Sequence, residues 1–253
     1  MADTEVTERE DALAEPQQTE PATHSVLMEL REMIVTGRIA PDTKLRAEAL
    51  ATLLDVSRTP IRSALAVLSA EGLVNYSVNR GYTVRTVTVR DVFDSIEVRA
   101  SLEGIAARTA ADLGWEAQTL SQLTDLVSQG RAILSRGEWS ETIEREWYQL
   151  NWLFHRGIML ASRNEVLRNA TRMTLIYPVL GDVARLCPTI AACVPPRHRQ
   201  MPATPPAHVL ESQEEHEAVL NAFQREDSQA AQRLMTEHVL ATRHRLHAIV
   251  MPR

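Results

Sequence analysis

Three histidines stand inside apolar helical stripes in the second half of the chain. His155 shares a face with Ile158 and Met159 in "NWLFHRGIML", His216 shares one with Val219, Leu220 and Phe223 in "EEHEAVLNAF", and His238 follows Leu234 and Met235 in "RLMTEHVLAT". Each side chain is expected to point toward a bundle interior. One such histidine, taken alone, is an ordinary core residue. Three converging imidazoles would make a divalent-metal site, because neutral imidazole suits zinc, nickel, copper and iron. Asn151 lies one turn before His155, and the i, i+4 spacing lets both side chains reach one ion.

A second pair of residues has a different chemistry. Arg58 and Arg62 stand one helical turn apart in "LDVSRTPIRSALAVLSAEGLV". Two arginines at that spacing are, by themselves, a solvated helix face. Their surroundings change the reading. Val26, Leu27, Leu30, Ile34 and Val35 recur at helical spacing before Gly37, and Leu45, Leu50, Leu53 and Leu54 mark a short second helix. A third helix is expected from about Thr59 to Ala70, with Pro60 in its first turn and Ser57 or Thr59 as its cap. After Gly72 the period changes to two, and Asn79-Arg80-Gly81 separates two β-rich runs. Three helices and a hairpin outline a winged helix-turn-helix. Ile61, Leu65 and Leu68 would face its core, leaving Arg58 and Arg62 on another face near the helix N-terminus. That end of a recognition helix enters the major groove. Arginine there pairs with guanine O6 and N7 or with phosphate, and Arg80 in the hairpin turn would reach the neighbouring backbone or minor groove.

Composition sets the frame. The 253 residues suffice for two domains, and 44% hydrophobic with 24% charged content is globular. Aromatics are few (4%), and long β alternation is absent, which predicts a mainly α chain. No run of about 18 apolar residues predicts a membrane span. The start lacks the basic-then-apolar order of a signal peptide, so the expected address is the cytoplasm. Cys187 and Cys193 match no common zinc spacing and are read as plain thiols.

The net charge of −6 is unevenly spread: residues 1–22 hold one Arg against seven acids, while residues 23–88 hold eight Lys+Arg against six. The expected organisation is a disordered acidic tail at 1–22, a winged helix-turn-helix at 23–88 and an all-α bundle at 89–253. In the bundle a long helix carries Val92, Phe93, Ile96, Leu102, Ile105 and Ala106. Further helices are expected at 116–136, 139–161, 163–185, 209–226 and 227–250, with the proline-rich 188–206 as a loop. No nucleophile triad or phosphate loop occurs. No Glu or Asp stands out as a general base near the histidines, although Glu217 is adjacent to His216 in sequence, so an enzyme is not expected.

The first half resembles the DNA-binding domain of the GntR family of bacterial transcription regulators. The resemblance rests on Leu45, Leu50-Ala51, Val56-Ser57-Arg58, Pro60, Arg62, Ala64-Leu65, Leu68, Glu71-Gly72-Leu73-Val74 and Arg80-Gly81. It implies DNA contacts from Ser57, Arg58, Thr59, Arg62, Arg80 and Gly81. Glu48 stands where the family often carries a basic residue; either the neighbouring Arg46 takes over that candidate role or the contact is absent. The second half resembles the FCD domain of the FadR subgroup, whose metal-binding members carry Asp-x-x-Phe-His and two later histidines 22 residues apart. Phe154-His155, His216 and His238 match, with Asn151 at the aspartate position. The resemblance implies zinc or nickel at Asn151, His155, His216 and His238. It also implies a small carboxylate effector, held by Arg99 in "VRASLE" with Glu103 one turn later. A structural Arg99–Glu103 pair is the alternative reading of those two residues. The implied function is a homodimeric, ligand-responsive regulator, a repressor, on a double-stranded DNA operator. A metal-free bundle is the alternative that Asn151 raises.

Overall fold

The computed structural model describes residues 19–251. Of the expected tail, residues 1–18 lie outside the described residues, while Thr19 to Ala22 belong to the first helix. The chain runs α1 (Thr19–Val35), β1 (Lys44–Leu45), α2 (Ala47–Leu53), α3 (Arg58–Ala70), β2 (Val74–Ser77), β3 (Gly81–Val84) and α4 (Val89–Leu113). It continues through α5 (Ala117–Leu134), α6 (Glu141–Ala161), α7 (Glu165–Arg172), α8 (Val183–Leu186), α9 (Pro188–Ala191), α10 (Ala207–Gln224) and α11 (Ser228–Val250). The fold is mainly α: a winged helix-turn-helix followed by an all-α part.

The apolar stripes explain the packing of the first part. Leu30 of α1 and Ile61, Leu65 and Leu68 of α3 are completely or almost completely buried. The ion pair between Arg31 and Glu71 is buried with them and joins α1 to the end of α3. The sheet is antiparallel with order β1-β3-β2, and Ser77 faces Gly81 across the hairpin. Asn79 (φ 67°) and Gly81 (φ 78°) supply the positive φ that this turn requires. Thr88 and Asp91 form a capping box that starts α4, and Arg85 donates to Asp91 at 2.8 Å.

The helical part departs from expectation in two places. A single helix predicted over 163–185 is instead α7, an irregular stretch and the short α8. Pro178 lacks the N–H that a continuous helix needs and disfavours helical backbone at Tyr177. The proline-rich 188–206 contains α9 and a 3₁₀ turn at Pro196–His198, and it is docked rather than free. Ile190 and Val194 are buried, and the Trp139 amide donates to the Ala203 carbonyl at 2.9 Å. Cys187 and Cys193 are both free thiols. No helix among the described residues is long and apolar enough to cross a membrane.

The long helices α4 and α11 pack on one another, and α6 and α10 close the group. Gly104 permits the α4–α11 approach: a Cβ there would overlap Thr236 Oγ1 and lie 3.1 Å from the Gln232 carbonyl. Gly104→Ala should therefore lose about 1–2 kcal/mol in urea unfolding, overpacking outweighing the helix propensity of alanine. Adding Thr236→Ala should recover most of that loss.

Candidate functional site

The polar face of α3 is open to solvent. Arg46, Ser57, Arg58, Thr59, Arg62 and Arg80 are all exposed, and Gly81 is half-buried in the hairpin. Pro60 and Ile61, between the two arginines of α3, are buried. Ser57 occupies the N-cap position, but its side chain makes no capping bond, so the hydroxyl remains available. Tyr76 and Tyr82 pair across the hairpin with ring centroids 4.9 Å apart. Glu48, in the first turn of α2, is exposed.

The three histidines converge inside the helical part. His155 comes from α6, His216 from α10 and His238 from α11, and all three are buried. His155 Nε2 lies 3.1 Å from His238 Nε2, and His216 Nε2 lies 3.1 Å from the same atom. Phe154 packs against His216 at 4.5 Å between ring centroids, and Trp147 stacks on it at 6.1 Å. Burial pushes His155 and His216 below the ordinary imidazole range, and the neighbouring His238 pushes the same way.

Two carboxylates fix the ring orientations. His155 Nδ1 is bonded to Glu103, and His238 Nδ1 lies 2.7 Å from Glu215 Oε2. With each Nδ1–H donated to a carboxylate, the Nε2 atoms of His155 and His238 face each other at 3.1 Å as the remaining donor or acceptor atoms of their rings. Two lone pairs at that distance would repel, and a cation between them, a proton or a metal ion, relieves that repulsion. The donor set therefore suits a divalent ion of the zinc or nickel kind. Asn151 lines the adjoining cavity with His155 and His238.

That cavity has a volume of about 150 Å³, and Arg99 and Tyr177 form part of its wall. Arg99 Nη1 donates to the Tyr177 hydroxyl at 3.0 Å, while its Nε is paired with Glu103. Glu103 is thus shared: Oε1 meets Arg99 and Oε2 meets His155. Burial pushes its carboxyl up, but Arg99 and then His155 outweigh burial and hold it well below the usual range. Both oxygens are engaged, so Glu103 positions Arg99 and His155 from behind. Arg99, by contrast, reaches the cavity, so the structural pair and the cavity-lining role coexist in it. Glu217 points elsewhere, held at 2.7 and 2.8 Å by Arg131, and no base faces the histidines from that position.

Sequence reasoning missed Glu215 and Tyr177. Glu215 adjoins His216 in the chain, which was a usable signal. Tyr177 comes from the irregular stretch after α7, where periodicity carries no information.

Residues 94–241 match the FCD domain, and residues 22–84 match the bacterial regulatory proteins of the gntR family. The chain is 32% identical over 140 residues to the Nta operon transcriptional regulator of Aminobacter aminovorans, covering 55% of this chain and 63% of that protein. The chain thus spans less than two thirds of that relative's length. It is 25% identical over 221 residues to the HTH-type transcriptional repressor RspR of Escherichia coli, covering 87% of each. The solved structure of E. coli McbR/YncC superposes with a TM-score of 0.63 at 21% identity, covering 89% of this chain and 96% of that one.

The two carboxylates should differ sharply in their effect on folding. Glu103→Leu strands a buried guanidinium and should cost about 3–5 kcal/mol in urea unfolding. Glu215→Ala, at a side chain 37% exposed, should cost under about 1 kcal/mol.

Proposed function

We propose that this chain, which belongs to the gntR family of bacterial regulatory proteins and carries an FCD domain, is a ligand-responsive repressor of transcription acting in the cytoplasm. Residues 23–88 read an operator, and residues 89–253 bind the effector and pair two copies of the chain. Arg58 and Arg62 address base edges, with Arg46, Ser57, Thr59, Arg80 and Gly81 on phosphate or the minor groove. Two subunits would present two recognition helices to a pseudo-palindrome. The exposure of all four arginines, with Pro60 and Ile61 of α3 buried, supports this reading.

In the second half, His155, His216 and His238, with the Asn151 carbonyl oxygen, would hold a zinc or nickel ion. The observation that carries this is the meeting of three Nε2 atoms, two of them aimed by carboxylates. When bound, the ion would supply positive charge and an open position for a carboxylate effector. Arg99 supplies a planar guanidinium on the same cavity wall, suited to a carboxylate. Glu103 keeps both Arg99 and His155 in place before any ligand arrives. An effector changes DNA binding only insofar as it favours one placement of the two winged domains, a coupling of typically about 1–3 kcal/mol. A metal-free effector site is the second reading, favoured by the neutral amide of Asn151.

The DNA half is tested by selecting bound genomic fragments and measuring operator affinity by mobility shift. Arg58→Ala and Arg62→Ala should each cost about 1–3 kcal/mol of specific binding while the far-UV circular dichroism stays unchanged. Unaltered specific binding in both would discard this recognition helix. The metal half is tested by elemental analysis. About one zinc or nickel per chain is expected, and none in His238→Ala. Metal-free protein that still binds an acid would favour the second reading.

A further inference from the structure

The cavity does not end at the histidines. A second polar layer recurs on the same three helices: Tyr148 precedes His155 by seven residues, His208 precedes His216 by eight, and Arg245 follows His238 by seven. Seven or eight residues are two helical turns, about 10–12 Å. Each side chain therefore returns to the cavity side of its helix, displaced along the axis from the histidines. All three line the same cavity as Arg99, His155 and His238. They are also mutual neighbours, since Tyr148 and His208 both feel the charges of Arg245 and Asp182.

The chemistry of this second layer is close to neutral. Burial, reinforced by Asp182, pushes the Tyr148 phenol up, so it keeps its proton. Its hydroxyl has only a 3.5 Å contact with His208 Nε2, at the limit of hydrogen bonding. Burial and then Arg245 hold His208 below the ordinary imidazole range, so the ring is neutral. Arg245 Nη2 lies 2.7 Å from Asp182 Oδ1, which balances its charge. Glu211 and Glu215 also line the cavity. A second carboxylate on the ligand would meet these acids and compete with Asp182 for Arg245. A bare alkyl end would desolvate the Tyr148 hydroxyl and the His208 ring without giving them partners. A hydroxyl group, both donor and acceptor, satisfies both.

We propose that Tyr148, His208 and Arg245 form a second recognition layer that reads a hydroxyl group at the far end of the effector. The effector is then a monocarboxylic acid on the order of five or six carbons long, given the two-turn offset less the reach of the side chains. This rests on the reading of the Arg99 and histidine layer as the carboxylate end.

Calorimetric titration of the full chain, supplied with zinc, tests it with propionate, hexanoate, 6-hydroxyhexanoate, adipate and 6-aminohexanoate. The hydroxylated acid should bind about five- to tenfold more tightly than hexanoate, roughly the worth of one neutral hydrogen bond. Tyr148→Phe should erase that advantage, weakening the hydroxylated acid and tightening hexanoate, and leave propionate, too short to reach it, unchanged. Equal affinities for the plain and hydroxylated acids, or a preference for adipate or 6-aminohexanoate, would overturn the second layer alone. If none of the acids binds, the carboxylate end fails and the second layer falls with it.

Discussion

One buried carboxylate holds the functional half of the molecule together. Glu103 is 4% exposed, yet it carries a charge, because Arg99 occupies one oxygen and His155 the other. An isolated carboxylate at that depth would be costly, and so would an isolated guanidinium. The geometry of α4 and α6 is therefore interdependent: a shift of either would break the Glu103–His155 bond and leave a buried Nδ1–H and a carboxylate oxygen without partners. His155 in turn meets His238 of α11, and His238 meets His216 and Glu215 of α10. Four helices from distant parts of the chain are thereby brought into one polar register inside an apolar bundle. Gly104, the next residue along α4, lets α11 come close enough for this to happen.

How far this was legible in the sequence depended on what each feature required. The faces of α3, α6, α10 and α11 follow from helical periodicity, which is a local property, so the exposed arginines and inward histidines were readable. The hairpin turn was readable too, because Asn79 and Gly81 occur where positive φ is needed. The division of the 163–185 region was not, although Pro178 marked it. Its apolar residues fit a helix, and only tertiary packing decides that Tyr177 leaves the helical path to meet Arg99. The role of Glu103 was likewise beyond local pattern. Its two partners lie 4 and 52 residues away, and only the second is a tertiary contact.

The irregular stretch has a further structural consequence. Tyr177, Pro178 and Gly181 line the cavity, and Asp182 both caps α8 and holds Arg245. A few residues later the same segment touches the first half of the chain. Thr189 Oγ1 donates to the Val87 carbonyl at 2.8 Å, just before α4. Pro188 sits so close to Gly37 that a side chain there would overlap its ring, and the φ of 74° at Gly37 independently favours glycine. The cavity wall and the turn after α1 are thus linked through one packed segment, which lines the first and touches the second.

Asn151 shapes the electrostatics of the proposed site. An aspartate would set a full negative charge beside three imidazole rings, whereas the amide offers only a carbonyl oxygen. Glu103 does not make up the difference, because Arg99 already balances it within the buried pair. Glu215 is the carboxylate at the histidines without an arginine partner among the described residues, and its side chain is 37% exposed. A divalent cation held there would retain more uncompensated positive charge than one held with an aspartate. An anionic effector is the natural source of the missing charge, with Arg99 fixing its orientation. Cation and carboxylate would then strengthen each other's binding by the same factor, since coupling between two ligands is reciprocal. On this argument the substitution at position 151 does not abolish the site. It would leave a site that holds metal alone and holds it more tightly when the acid is present.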